Sequence, residues 1–227
     1  MQLNRAVVWD LDGVIVDSGE AHNRSWADIA AERGFPYDPD ADFKATFGRH
    51  NTDIISYLWN ITDPEEVERI ALRKETLFRE AARELKPLPG VVELMAALEK
   101  AGWKQGIGSS APLENIELLL SVTGTGHYMG AIASGEDVTR GKPDPAVFSI
   151  AFSRLGVEPL NGVVFEDAPA GVRAGIAAGA VTIGITNTQT AATLNEAGAT
   201  LVVSTLEGIT VADLERLIEN RQSPTRP

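Results

Sequence analysis

Short runs dense in valine, isoleucine and alanine alternate with helix-like stretches over most of this chain. The runs fall at 6–10, 104–109, 130–134, 162–166, 180–185 and 200–204. Alternation of this kind is the signature of a parallel sheet whose strands are joined by crossover helices. The runs are short and rich in valine and isoleucine, as strands buried on both faces tend to be, so both faces of the sheet are expected to be covered. The intervening stretches carry helix punctuation. Val91, Leu94, Met95 and Leu98 recur at helical spacing, and Gly102 stands where that helix should stop. Asp144-Pro145 opens a second helix, striped by Val147, Phe148, Ala151, Phe152 and Leu155 and closed by Gly156. Pro169 and Gly179 bracket a third.

One stretch breaks the alternation. Between about Asp17 and Lys86 there is helical pattern only, carried by Trp26, Ile29, Ile54, Ile55, Leu58, Ile70, Leu77 and Phe78. It ends in Lys86-Pro87-Leu88-Pro89-Gly90, a stiff connection that no helix runs through. The chain is therefore read as an α/β core of residues 1–16 and 87–227, with a helical lobe of residues 17–86 inserted after the first strand. The last residues, 221–227, read as a frayed tail.

Composition narrows the partners. The formal net charge is −12, which argues against nucleic acid, because phosphate backbones need basic patches. A small phosphate ester is not excluded, since its binding needs only a few local charges. No apolar run is long enough to span a bilayer, and the first residues show no signal-peptide pattern, so no membrane partner is expected. Cysteine is absent, which removes disulfides and thiol chemistry and makes the cytoplasm the default expectation.

Four polar signals lie at or just beyond the carboxyl ends of expected strands or in the loops after them, the edge where open α/β sheets bind ligands. Asp10-Leu11-Asp12-Gly13 follows the first run, and residues two apart on an extended chain point the same way. Ser109-Ser110 precedes a helix start at Pro112, where a hydroxyl beside free N–H groups makes a phosphate seat. Lys142 is confined within Gly141-Lys142-Pro143-Asp144-Pro145 and can hold an anion as a point charge. Glu166-Asp167 supplies hard oxygen donors of the kind that suit Mg²⁺. Taken singly, each has a plain structural alternative: an acidic turn, helix capping, a solvated loop lysine, or acidic residues near a helix start. Together they are harder to explain that way. Two like charges about 4 Å apart repel by roughly 4 kcal/mol at an effective dielectric near 20. Crowding Asp10, Asp12, Glu166 and Asp167 at one sheet edge makes sense mainly around a divalent cation.

In chain order, Asp10-x-Asp12-Gly13-Val14-Ile15-x-Asp17-Ser18, Ser109, Gly141-Lys142-Pro143-Asp144 and Glu166-Asp167 resemble the four motifs of the haloacid dehalogenase-like hydrolase superfamily. The likeness covers nearly the whole chain and is nearest to the β-phosphoglucomutase-like subgroup. It implies a Rossmann-like α/β core with an inserted all-helical cap. It also implies an Mg²⁺-dependent phosphatase that acts on small phosphorylated metabolites through an aspartyl-phosphate. Under the resemblance Asp10 is the nucleophile and Asp12 the general acid and base. Ser109 and Ser110 hold the phosphoryl oxygens, and Lys142 neutralises their charge. Mg²⁺ would be held by Asp10, the backbone carbonyl of Asp12, Glu166 and Asp167. Cap positions implied to meet the substrate are His22, Asn51 and Lys74, with Trp26 on the same helix face as His22. For Trp26 packing is an equal alternative, and for Lys74 an exposed helix position is.

One departure bears on function. Matching on Gly48 places Asn51 where the mutase presents an arginine to a second phosphate, and Arg49 lies two residues away. Loss of that grip favours hydrolysis over mutase chemistry. The remaining alternatives are a β-phosphoglucomutase-type mutase and, from another class, a phospho-accepting signalling domain. A monomer or weak dimer is expected.

Overall fold

The computed structural model describes residues 4–46 and 49–222; Gly48 and residues 223–227 of the tail lie outside it. The chain divides into two compact units, one formed by Met1–Asp17 with Leu85–Pro227 and the other by Ser18–Glu84.

The first unit is the α/β one. Its strands are β1 (Ala6–Trp9), β2 (Lys104–Gly108), β3 (Ala131–Ala133), β4 (Gly162–Glu166), β5 (Val181–Ile185) and β6 (Leu201–Val203). All neighbouring pairs are parallel. Their order is β3-β2-β1-β4-β5-β6, so the direction of strand addition reverses between β1 and β4. A parallel sheet with this reversal opens a crevice at the carboxyl ends of its two central strands. β1, β4 and β5 are buried along their whole length, as expected of strands covered on both faces.

Helices cover both faces. Numbered in chain order, the unit contributes α5 (Val91–Lys100), α6 (Leu113–Thr123), α7 (Ala146–Leu155), α8 (Pro169–Ala178), α9 (Ala191–Glu196) and α10 (Val211–Gln222). Phe148, Ala151 and Phe152 of α7 pack with Ala174 of α8 against Ala6, Val8 and Val164 of the sheet. On the other face Trp9 stacks on Phe165 at 4.6 Å. Trp9 also donates its indole N–H to Gln105 Oε1, and Gln105 in turn donates to the Met95 carbonyl on α5. The buried amide thus satisfies a buried indole and one helical carbonyl together. The stops expected from glycine occur at Gly102, Gly156 and Gly179, each with positive φ.

The second unit is helical among its described residues: α1 (Gly19–Arg33), α2 (Ala41–Thr46), α3 (Asn51–Trp59) and α4 (Pro64–Ala81). Asp63 caps α4 by accepting from the Glu66 N–H, with Pro64 behind it. Trp26, Ile29, Ile54, Ile55, Val67, Ile70 and Leu77 close a core of its own. Among the described residues no helix is long and apolar enough to cross a membrane.

Candidate active site

The carboxyl edge of the sheet collects the acidic residues because β1 and β4 are register-matched neighbours. Trp9 pairs with Phe165, and the Asp10 N–H donates to the Phe165 carbonyl at 3.0 Å. Asp10 therefore leaves β1 beside Glu166, the last residue of β4, and Asp167, which follows it. Asp10, Glu166 and Asp167 are all buried, and each offers an oxygen within 4.8 Å of the others. This is a hard oxygen donor set of the size that holds a divalent cation.

Two glycines make the crowding sterically feasible. Gly13 turns the chain at φ 75°, and a β-carbon there would fall 1.9 Å from Asp167 Oδ2. At Gly171, on the first turn of α8, a β-carbon would lie 1.6 Å from Glu166 Oε1. The carboxylates occupy the volume that side chains at 13 and 171 would fill.

One ammonium ties the cluster together. Lys142 Nζ donates to Asp10 Oδ1 at 2.6 Å and to Glu166 Oε1 at 2.7 Å. It also lies 4.6 Å from the centre of the Phe148 ring, a cation–π contact. Glu166 Oε2 accepts from the Ala168 N–H at 2.7 Å. The Asp167 carboxylate accepts from the Thr188 hydroxyl instead.

With Asp10, Glu166 and Asp167 all ionised, one ammonium does not balance the cluster. Burial, with Glu166 and Asp12 adding to it and Lys142 pulling the other way, leaves Asp10 raised to about 7. Burial, then Glu166 and Asp10, raises Asp167 well above the ordinary carboxylate range. Burial alone would pull Lys142 down, but Asp10 and Glu166 outweigh it and hold the ammonium firmly charged. One lysine does not match the clustered carboxylates, so the donor set fits a divalent ion both in chemistry and in charge.

The other expected residues fall as follows. Asp12 follows Asp10 in the turn and is half-buried, outside the group of three but near enough to raise Asp10. Ser109 is buried at the end of β2, and its Oγ accepts from the Ala111 N–H at 3.1 Å, which keeps its own proton available to donate. Ser110 is exposed. Pro112 stands at the cap of α6, one position before its first turn.

Within the helical unit, His22, Asn51 and Lys74 come together around Glu75. Lys74 Nζ lies 3.0 Å from His22 Nδ1 and donates to Glu75 Oε1 at 2.9 Å, and Asn51 Nδ2 donates to the same oxygen at 2.7 Å. The ammonium also sits 5.4 Å from the Trp26 ring centre and 5.3 Å from that of Phe78. Lys74 is only 2% exposed, so the exposed-helix alternative for it is wrong. Trp26 belongs to the apolar core of this unit. Arg49 lies 4.9 Å over the Tyr57 ring.

Glu75, Gly171 and Thr188 escape the sequence reading. Glu75 adjoins an equally ordinary helix lysine, and Gly171 passes as a small helical residue. Thr188 sits in a polar loop, where the strand-end criterion that singled out Ser109 would have found it.

Comparison with known proteins adds a lineage. Residues 4–179 match a family described as haloacid dehalogenase-like hydrolase. The chain is 31% identical over 207 residues to validoxylamine A 7'-phosphate phosphatase of Streptomyces hygroscopicus subsp. limoneus, covering 85% of this chain and 91% of that one. It is 32% identical over 180 residues to hexitol phosphatase B of Escherichia coli K12, covering 76% and 79% respectively. Among solved structures, a HAD hydrolase of family IA, variant 3, from Entamoeba histolytica superimposes with a TM-score of 0.87. That match has 28% identity and covers 95% of this chain and all of that one.

Proposed function

The chain belongs to the haloacid dehalogenase-like hydrolase family, and from that premise we propose that it is an Mg²⁺-dependent phosphatase of small phosphorylated metabolites such as sugar phosphates. The observation that carries the proposal is the buried meeting of Asp10, Glu166 and Asp167 around the Lys142 ammonium. Relatives named as phosphatases of phosphorylated carbohydrate-like compounds support the substrate class.

In this reading Asp10 attacks phosphorus in line. A bond forms from its carboxylate oxygen to phosphorus as the ester P–O bond breaks. Asp12 gives its proton to the departing alkoxide, then takes one from the water that attacks the aspartyl-phosphate. That second attack releases inorganic phosphate and restores Asp10. Lys142 holds the Asp10 carboxylate in place and offsets negative charge on the transferring group, and the Ser109 hydroxyl donates to a phosphoryl oxygen. Asp10, the Asp12 carbonyl, Glu166 and Asp167 would hold the Mg²⁺. When bound, the ion supplies the positive charge that lets neighbouring carboxylates and a phosphate dianion share one small volume.

The helical unit is assigned the cap role, with His22, Asn51 and Lys74 as the substrate-facing set. Its chemistry favours hydrolysis over mutase action. The Lys74 ammonium is matched by Glu75, Asn51 is bonded to that same carboxylate, and the Arg49 guanidinium lies on Tyr57. Among the described residues of this unit, Lys74 is the buried cation, and it is already matched by Glu75 instead of being held for the second phosphate of a bisphosphate. The cytoplasm is the compartment this reading assigns, consistent with a chain that lacks cysteine.

The test is acid-quench trapping. The chain is mixed briefly with Mg²⁺ and a radiolabelled sugar monophosphate, denatured in acid, and peptide-mapped. Label on Asp10, catalytic release of phosphate, and loss of both in Asp10→Asn or in chelator are the expected results. Label without turnover would indicate a phospho-accepting switch, and an isomerised sugar phosphate would indicate a mutase. Turnover with no label on Asp10 would sink the nucleophile assignment.

A further inference from the structure

We infer that Thr188 is a positioning residue for the divalent-cation site, its hydroxyl fixing the rotation of the Asp167 carboxylate. The inference rests on the metal reading above and adds a residue from outside the four motifs.

The geometry begins with register. Glu166 of β4 pairs with Gly184 of β5, so the loops that leave these two strands run side by side. Thr188 lies three residues beyond the end of β5 and faces Asp167 across that gap. Its Oγ1 donates to Asp167 Oδ2, and the same oxygen lies 3.3 Å from the Asp167 carbonyl. A hydroxyl carries one proton, so the shorter contact to the carboxylate takes it.

The three clustered carboxylates are oriented by different donors. Lys142 bonds Asp10 and Glu166, and the Ala168 N–H fixes the second oxygen of Glu166. Asp167 receives its side-chain hydrogen bond from Thr188. The carboxylate torsion of an aspartate is soft and broad, and packing or hydrogen bonds must set it. Gly13 closes one side of Asp167, with Oδ2 only 1.9 Å from where a β-carbon would stand. Thr188 closes another. A neutral donor suits this task, because it orients the carboxylate without adding a positive charge that would compete with the cation.

The backbone of Thr186 and the side chain of Thr190 serve the local fold. The Thr186 N–H donates to the Val203 carbonyl, and Thr190 caps α9 by accepting from the Thr193 N–H. The Thr188 hydroxyl, by contrast, turns to the acidic cluster.

Outer hydrogen bonds to ligating carboxylates typically carry about 10–100-fold in metal affinity. The test is Mn²⁺ binding to the full, substrate-free chain, followed by electron paramagnetic resonance of the free ion, with Mg²⁺ as competitor. Thr188→Val keeps the shape and removes the hydroxyl. It should weaken Mn²⁺ binding by about 10–100-fold, while Thr188→Ser, which retains the hydroxyl, stays near the wild-type value. In turnover, Thr188→Val should raise the Mg²⁺ concentration for half-activity and recover kcat at saturation. Thermal unfolding in EDTA checks that each variant is folded, and Thr188→Ala takes the place of the valine variant should that one fail. Wild-type affinity in the hydroxyl-free variant overturns the inference, as does an equal loss in Thr188→Ser, which would make packing the cause. A wild-type chain that binds no cation overturns the metal reading and this inference with it.

Discussion

A methyl group at Gly171 would have to share space with Glu166 Oε1, only 1.6 Å from its position. The collision falls on a carboxylate buried to 1% exposure and already held by Lys142 and the Ala168 N–H. Gly171→Ala is therefore expected to cost about 1–3 kcal/mol of stability, the range for overpacking a tight interior. It should also weaken Mg²⁺ binding by displacing a ligand, even though alanine is the better helix former. Calorimetric Mg²⁺ titration beside urea unfolding checks both; a stabilised variant with intact affinity would contradict the steric argument. This requirement is invisible along the chain. Asp10, Lys142, Glu166 and Asp167 could be singled out because polar residues at successive strand ends converge whenever the strands are parallel. What surrounds a carboxylate after convergence, Gly171 behind one and Thr188 beside another, depends on distances that sequence spacing does not carry.

At the level of elements, helix stops were the most legible feature, since Gly102, Gly156 and Gly179 adopt the positive φ that other residues resist. Strand ends were readable to within about a residue. The third and sixth strands are trimmed at both ends, to Ala131–Ala133 and Leu201–Val203, where they lie at the sheet edges with one neighbour each. Helix α4 was legible as an amphipathic element but not as the bearer of a buried ion pair. Its apolar stripe conceals that Lys74 and Glu75 both turn inward, at 2% and 9% exposure. Removing one charge of a buried pair costs about 3–5 kcal/mol, here because Glu75 keeps the neutral Asn51 amide but loses the ammonium. Lys74→Met should destabilise the helical unit by that amount, and Lys74→Met with Glu75→Gln should recover much of it. Denaturant unfolding followed by tryptophan fluorescence measures the difference; equal stability of the single and double variants would refute the pairing.

For the molecule as a whole, the acidic cluster couples folding to pH. Asp10 titrates near 7 in the folded chain against 3.8 ordinarily, and Asp167 is shifted in the same direction. Between those values the folded state binds more protons than the unfolded one, so stability falls as pH rises. In EDTA, the unfolding midpoint of the α/β unit should drop from about pH 5 to about pH 8, and less steeply in Asp10→Asn. Added Mg²⁺ should offset the drop at the upper end, where the carboxylates are ionised and the ion is bound most tightly. A midpoint indifferent to pH, with or without the substitution, would contradict it. The wide spacing of the site along the chain has a further consequence. Asp10 is separated from Lys142 by 132 residues, and the carboxylates that meet it, Glu166 and Asp167, come later still. If the proposed function holds, a nascent polypeptide would carry no complete site until residue 167 has left the ribosome, so that activity would arrive only once most of the chain has been made.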